Sequence, residues 1–481
     1  MLRHTLNCLK AVPCAFLFYL AGCGGYGGGS GMSGYGGNPP MMMSMPTVMF
    51  SSPTQAPTIH LGQAVSLAWT SSNATSCSAS PSSDIGGAFS GSEPASGSVT
   101  VAPVGTGTVT YTLACTGAGG TGSATTVAIT VLPSILSMLS PNTITAIGST
   151  VDPVERGGNP YGLAIAPATA GLVSAGDLIV CNFNDGATNT EGKGTTIVGL
   201  HPTPGSTPYH IAQSPSLQGC NALAILPDGN ISAAAFTANQ NPLVAPAGTV
   251  STPFSTDTFA SPWGEAFAPA NGQNPAALYV SNANGTIDRI TLNGDTQTAF
   301  TQIVQGFCGS GQPGAIYAPS GLTYDGSIDT LYVIDTSSFS VIALANVSSI
   351  GANGVMVAGQ CGSPATAAPT PTPTFSGPSA SSARVIAHGT PLFAPLSAAL
   401  LTDGDLVVTN SDINITGGQM PNLAVEVSPV LPGGFVGQPV QLDTSGTPGA
   451  LFGIAATADS QGNDIIYFND DNTNTVMKMT Q

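Results

Sequence analysis

The stretch LYVIDTSSFSVIAL, Leu331 to Leu344, reads as two short strands joined by a polar turn. Weaker copies return as LIVCNFND, LYVSNANGTIDRI, LVVTNSD and IIYFNDDNTNTVMKM. A repeated strand–turn–strand cannot bury its apolar face alone, so it requires an architecture that packs many copies together. Aligned on the second strand, Leu178, Ile231, Leu278, Leu331, Leu406 and Ile465 share one column. Another column holds Asn182, Ala235, Asn282, Asp335, Asn410 and Asn469. Ahead of each copy lies a strand of small residues, with Gly162, Ala222, Gly264, Gly321, Ala398 and Gly453 in register. These last positions step by 60, 42, 57, 77 and 55 residues. A period near 50 with three or four strands per unit is that of propeller blades. Small residues at a crowded centre let neighbouring blades approach.

Six units over 134–481 predict a six-bladed β-propeller. The final unit has only 28 residues after Gly453, too few for four strands, so TITAIGST at 143–150 is expected to supply its outer strand. Closing the ring from both ends removes an exposed sheet edge. The repeat resembles NHL-repeat propellers, with 318–344 the best copy. That resemblance implies the architecture and leaves function open. The chain departs from the family in a Thr/Pro-rich insertion at 361–383, expected to be a mobile loop. Composition agrees with an all-β class: only 6% of residues are charged, against 61 Gly and 39 Pro, which favours turns and strands over long surface helices.

The amino terminus points to export. Arg3 and Lys10 precede the apolar run AVPCAFLFYLAG, which is too short to span a bilayer and suits a signal-peptide core. Leu20-Ala21-Gly22-Cys23 resembles the lipobox of bacterial lipoproteins. The resemblance implies a signal peptide at 1–22, lipidation of Cys23 and a membrane partner reached through acyl chains. Gly24, where inner-membrane retention would use Asp, implies the outer membrane. Residues 23–53 are rich in Gly, Met and Pro and read as a flexible tether.

Residues 54–133 carry several short strands between Gly and Pro, the pattern of a small β-sandwich. With Trp69, Cys77, YTLAC at 111–115 and the closing VAITV, the segment resembles bacterial immunoglobulin-like repeats. Trp69 precedes Cys77, the reverse of the antibody order, so a Cys77–Cys115 bridge would join different strands from the antibody one. Its loop of 38 residues would contribute about 3–4 kcal/mol. Such modules commonly act as spacers. Among the remaining cysteines, the expected pairs are Cys181–Cys220 across a blade junction and Cys308–Cys361 in matching loops.

Without the first 22 residues the chain has five basic against 24 acidic residues, a net charge of −19. That surface repels nucleic-acid backbones and anionic lipid alike. Catalytic signatures are sparse. There is no G-x-S-x-G elbow, no phosphate-binding loop and no blade-periodic His column. No cofactor is implied, although the oxygen-rich turns at 181–192 and 469–474 are where Ca2+ would be sought. One residue breaks its column: Glu265 stands where other blades place Leu163, Leu223, Leu322, Ala399 and Ile454. A carboxylate there is either packed between blades with a partner or exposed to the channel. The leading expectation is a non-enzymatic binding or scaffold module anchored in the cell envelope. The alternative is a propeller hydrolase or lyase, similar in outline to the calcium-dependent lactonases. It would require Glu265 to share one funnel with Asn182, Asn282, Asp335 or Asn410.

The lipobox reading predicts that Cys23→Ser abolishes incorporation of labelled palmitate and releases the protein from the membrane fraction. Unlabelled wild-type protein in the soluble fraction would refute it.

Overall fold

A computed structural model describes residues 43–139, 144–254, 256–272, 274–309, 311–313, 315–359, 371–410, 422–431, 433–444 and 449–480. The expected signal peptide, Cys23 and most of the tether therefore lie outside the described residues. Six sheets carry the repeat, each running from an inner strand outward. The inner strands are Gly158–Ile165, Cys220–Ile225, Pro262–Ala268, Pro319–Asp325, Pro395–Leu400 and Leu451–Ala458. Each contacts the next, and the sixth contacts the first, so the ring is closed and the fold is an all-β propeller. The second strand of each blade is covered on both faces by its neighbours. Leu178–Asn184 and Leu406–Asn410 are accordingly buried at every position, which is why these segments read as continuous apolar runs.

The small-residue column has a geometric cause. In all six blades the register between inner and second strand shifts at this point, for example between Pro262 and Glu265. These bulges turn the backbone toward the adjacent blade. A Cβ on Gly264 would lie 1.9 Å from the Ser320 carbonyl oxygen, and one on Gly453 would lie 2.4 Å from that of Tyr161.

Ring closure joins the two ends of the repeat region. Thr145–Ser149 pairs antiparallel with Thr475–Met479, placing Thr145 opposite Lys478 and Ser149 opposite Thr475. Asn469 Nδ2 adds bonds to the carbonyls of Tyr161 and Gly162, both at 3.2 Å, stitching blade 6 to blade 1. A disulfide between Cys181 and Cys220, with Cα atoms 5.6 Å apart, ties blade 1 to blade 2. Cys308 is also disulfide-bonded, while Cys361 lies outside the described residues.

The insertion differs from the expected loop. Val355–Ala358 pairs parallel with the outer strand of blade 3, and Thr374–Ser376 then pairs with Val355–Ala358. Blade 3 thus becomes a six-stranded sheet built partly from the chain that links the third and fourth strands of blade 4. Residues 361–370 of the expected loop lie outside the described residues.

Ahead of the ring, three small sheets enclose one core containing Leu67, Trp69, Phe89, Tyr111 and Leu113. Here strands have one wet face, and Val65–Ser72 alternates buried Val65, Leu67 and Trp69 with more exposed neighbours. This β-sandwich begins earlier than the sequence suggested. Thr47–Ser52 pairs with Val65–Ser72, so the Pro/Met-rich segment read as tether contributes an edge strand. Cys77 and Cys115 face each other on adjacent antiparallel strands of one sheet, with Cα atoms 4.0 Å apart. The bridge therefore staples neighbours within a sheet.

Substituting Gly264 by Ala forces a methyl into the Ser320 carbonyl and should cost about 2–3 kcal/mol. Gly351, whose added Cβ would meet nothing within 4 Å, should tolerate Ala. Thermal melts of the two variants check this, and equal Tm values would contradict the packing account.

Candidate functional site

The inner strands surround an axial channel. One cavity of about 120 Å³ is bordered by Tyr161, Asn221, Trp263, Glu265, Ser397 and Phe452. Farther along the same strands the channel widens to about 360 Å³, walled mainly by Leu322, Tyr324, Phe267, Leu400 and Ile454, with Glu265 again at its border. At the other end a buried cluster drawn from all six blades fills the axis: Tyr161, Phe183, Phe236, Trp263, Ala318, Leu396 and Phe452. Tyr161 is stacked between Phe183, with ring centres 4.1 Å apart, and Phe452, at 3.7 Å. Trp263 meets Phe236 edge-on at 5.5 Å. The result is a channel with an aromatic floor, lined by apolar side chains and by polar atoms that include those of Asn221, Glu265 and Ser397.

Glu265 is the carboxylate among the described lining residues of this channel. Its strand places it opposite Val280, and its side chain reaches back to blade 2. Oε1 accepts from Ser232 Oγ at 2.5 Å and from Asn241 Nδ2 at 2.8 Å. Oε2 is buried and makes no hydrogen bond among the described residues. Burial pushes the carboxyl up to about 7, against which the Ser232 and Asn241 donors act only in part. The two settings weighed from sequence thus coincide: the residue packs between blades and also borders the channel. Nearby, Asn221 donates from Nδ2 to the Pro262 carbonyl at 3.1 Å, while its Oδ1 is likewise buried without a partner.

The four residues proposed to join Glu265 do not border the channel. Asn182 donates to the Thr150 carbonyl at 3.0 Å, Asn282 accepts from Ala260 N at 3.1 Å, and Asn410 accepts from Phe393 N at 3.1 Å. Each pins the loop that enters its own blade. Asp335 instead caps a turn, accepting from the Ser337 backbone at 3.1 Å and from the Ser338 hydroxyl. The reason is positional. This column ends the second strand, one strand removed from the axis, so its side chains meet loops.

The propeller histidines are likewise dispersed. His201 and His210 bind Asp177 and Asp152 through Nδ1, at 2.6 and 2.7 Å, and His388 Nδ1 lies 3.0 Å from Ser340 Oγ. In the oxygen-rich turn at 181–192, Asp185 accepts from the backbone and hydroxyl of Thr188 and from Thr190 N, which holds its carboxyl below the usual range. In the turn at 469–474, Asn472 donates to Asp443 Oδ2 at 2.9 Å. The first turn spends the Asp185 oxygens on its own hydrogen bonds, whereas in the second Asn469 Oδ1 and Asp470 Oδ1 are buried without a hydrogen-bond partner among the described residues. Sequence reasoning missed the aromatic floor and Asn221. The signal was one position upstream of the small-residue column, where Tyr161, Asn221, Trp263, Ser320, Ser397 and Phe452 stand.

No protein-family model matches the chain, and no curated protein matches it by sequence. Solved structures match in fold. A virginiamycin B lyase from Staphylococcus aureus is 14% identical with a TM-score of 0.39, covering 70% of this chain and 99% of that one. A gluconolactonase from Xanthomonas campestris is 12% identical with a TM-score of 0.42, covering 70% and 93%. A luciferin-regenerating enzyme is 10% identical with a TM-score of 0.42, covering 70% and 95%.

Glu265 makes stability pH-dependent. Its carboxyl keeps a proton up to about 7 when folded, whereas the unfolded chain releases it from about 4.5 upward. Stability from this group is therefore present at low pH and declines between about 4.5 and 7, on the order of 3 kcal/mol in all. Glu265→Gln should flatten that part of the Tm–pH profile. An unchanged slope would show that the carboxyl titrates normally.

Proposed function

We propose that this chain is a lipid-anchored envelope protein whose propeller binds a small, mostly apolar ligand in its axial channel without turning it over. In this reading Cys23 holds the acyl chains, the Gly-rich segment is the tether, and an immunoglobulin-like sandwich spaces the propeller from the membrane. The observation that carries the binding role is the channel itself. Its wide part, about 360 Å³, is within the range of small-molecule sites, and its lining side chains are mostly apolar, with Glu265, Thr323 and Tyr324 adding polar atoms to the wall. Glu265 and Asn221, which border the narrow part, each hold a buried oxygen without a partner, Oε2 and Oδ1, which suits a ligand carrying a hydroxyl or N–H donor on an apolar body.

A hydrolytic reading draws on one specific feature. A carboxyl with its pKa near 7 is suited to proton transfer at neutral pH. Against it stands the engagement of Oε1 by Ser232 and Asn241, together with the dispersal of Asn182, Asn282, Asp335 and Asn410 to loop-pinning roles.

The chain has two tryptophans, Trp69 in the sandwich and Trp263 in the channel floor. In a Trp69→Phe variant, Trp263 becomes the sole indole reporter. Titration with apolar alcohols, phenols and lactones should give saturable quenching, weakened at least several-fold by Leu322→Glu at the channel wall, with no product formed. Lactone turnover that Glu265→Gln abolishes would overturn the non-enzymatic reading.

A further inference from the structure

A second constellation lies away from the channel, where the sandwich meets blade 5. The sandwich loop around Gly62 sits against this blade, with Ser428 Oγ donating to the Gly62 carbonyl at 2.7 Å. A Cβ on Gly62 would fall 2.1 Å from Asp405 Oδ2, so only a glycine leaves room beside that carboxylate. The connecting segment then makes a single helical turn, Ile135–Met138. Glu426, on the third strand of blade 5, accepts from Ile135 N at 3.3 Å through Oε1 and from Leu136 N at 2.6 Å through Oε2. Asp403, Asp405 and Glu426 each place an oxygen within 4.8 Å of the others.

We propose that Asp403, Asp405 and Glu426 form a Ca2+ site that clamps the sandwich to the propeller. Two features beyond the clustering of acids point to a ligand. Asp405 is only 2% exposed, and its Oδ2 makes no hydrogen bond among the described residues. Asp403 Oδ2 is buried and partnerless as well. Buried carboxylate oxygens ordinarily find a donor, and leaving two unmatched in one place is costly. Nearby charge does little to compensate, since His60 acts favourably on Asp403 while Asp464 opposes it.

The spacing selects the ion. Oxygens sharing one Ca2+ at about 2.3–2.6 Å can lie up to about 5 Å apart, whereas Mg2+ at about 2.0–2.1 Å requires a tighter set. Three carboxylates on one hard cation also convert mutual repulsion into attraction. Glu426 would then bridge the ion and the two linker amides, so binding on the propeller side would hold the linker of the sandwich. In the cation's absence burial and the adjacent Asp403 push the Asp405 carboxyl up to about 7, against a smaller opposing effect of Ser428. Protons are thus the competing occupant.

The mature chain, stripped with chelator and melted at pH 7.5, tests the proposal. Ca2+ at about 10 mM should raise Tm by roughly 3–5 °C, Mg2+ should do less, and titration calorimetry should show a single site with Kd of about 10⁻⁴–10⁻³ M. Asp405→Asn should remove both responses while Glu265→Gln in the channel retains them. If Asp405→Asn does not fold, Asp403→Asn, at a more exposed position, makes the same test. A Tm indifferent to Ca2+ in the wild type would overturn the site in favour of a proton-sharing cluster. A Ca2+ response retained in both Asp variants would overturn it in favour of a site elsewhere.

Discussion

Everything in the propeller depends on how closely six inner strands can approach one another around an axis. At each bulge the backbone of one blade lies against that of the next, with no allowance for a side chain at Gly264 or Gly453. This contact fixes the blade-to-blade spacing, and hence the width of the channel. It also commits the second strands to burial on both faces, so the blades are held by apolar packing such as that of Leu331, Val333 and Ile342 against Ile303 and Val304. Thr145–Ser149 then supplies the outer strand of blade 6 and ties the two ends of the repeat region together.

The same geometry explains the character of the channel. Residues flanking the bulge point toward the axis, and five of the six blades place an apolar side chain after the small residue. Glu265 is therefore a charge-capable group in a hydrocarbon wall, stabilised by Ser232 and Asn241 of the preceding blade. Burial sets its proton affinity, and blade packing sets its position. A ligand entering the open end would meet apolar surface first and the acceptors Glu265 and Asn221 deeper in, with the Tyr161–Phe183–Phe452 stack as the floor.

The sandwich is built on a different balance. Its strands bury one face only, its core is small, and an in-sheet disulfide joins Cys77 to Cys115. Its attachment to blade 5 combines apolar packing of Ile135, Leu136 and Leu139 with Leu401, Val407 and Ala424 and polar bonds from Glu426 at the linker amides and Ser428 at Gly62. A joint of that kind responds to charge, so protons or cations at Asp403 and Asp405 bear directly on how firmly the two parts are held.

Blade number, the small-residue column, the closing strand and the cysteine pair Cys181–Cys220 were all legible in the sequence, because each repeats or constrains a local pattern. Glu265 was visible as the residue that broke its column. The Asn/Asp column was legible as a feature, but whether it joined Glu265 in one funnel was not: which way Asn182 or Asn410 points depends on a loop that the repeat does not encode. The edge strand Thr47–Ser52 and the annexed strand Val355–Ala358 were hidden because their partners are remote in sequence. Asp403 and Asp405 lie in a hairpin turn and Glu426 on a strand of the same blade, and their meaning comes from a linker nearly 300 residues away. By itself the sequence determined the periodic architecture, since hydrophobic pattern and small residues act over short distances. Only the tertiary structure decided which carboxylates lose their water and which amides they meet, because burial is a property of the assembled ring.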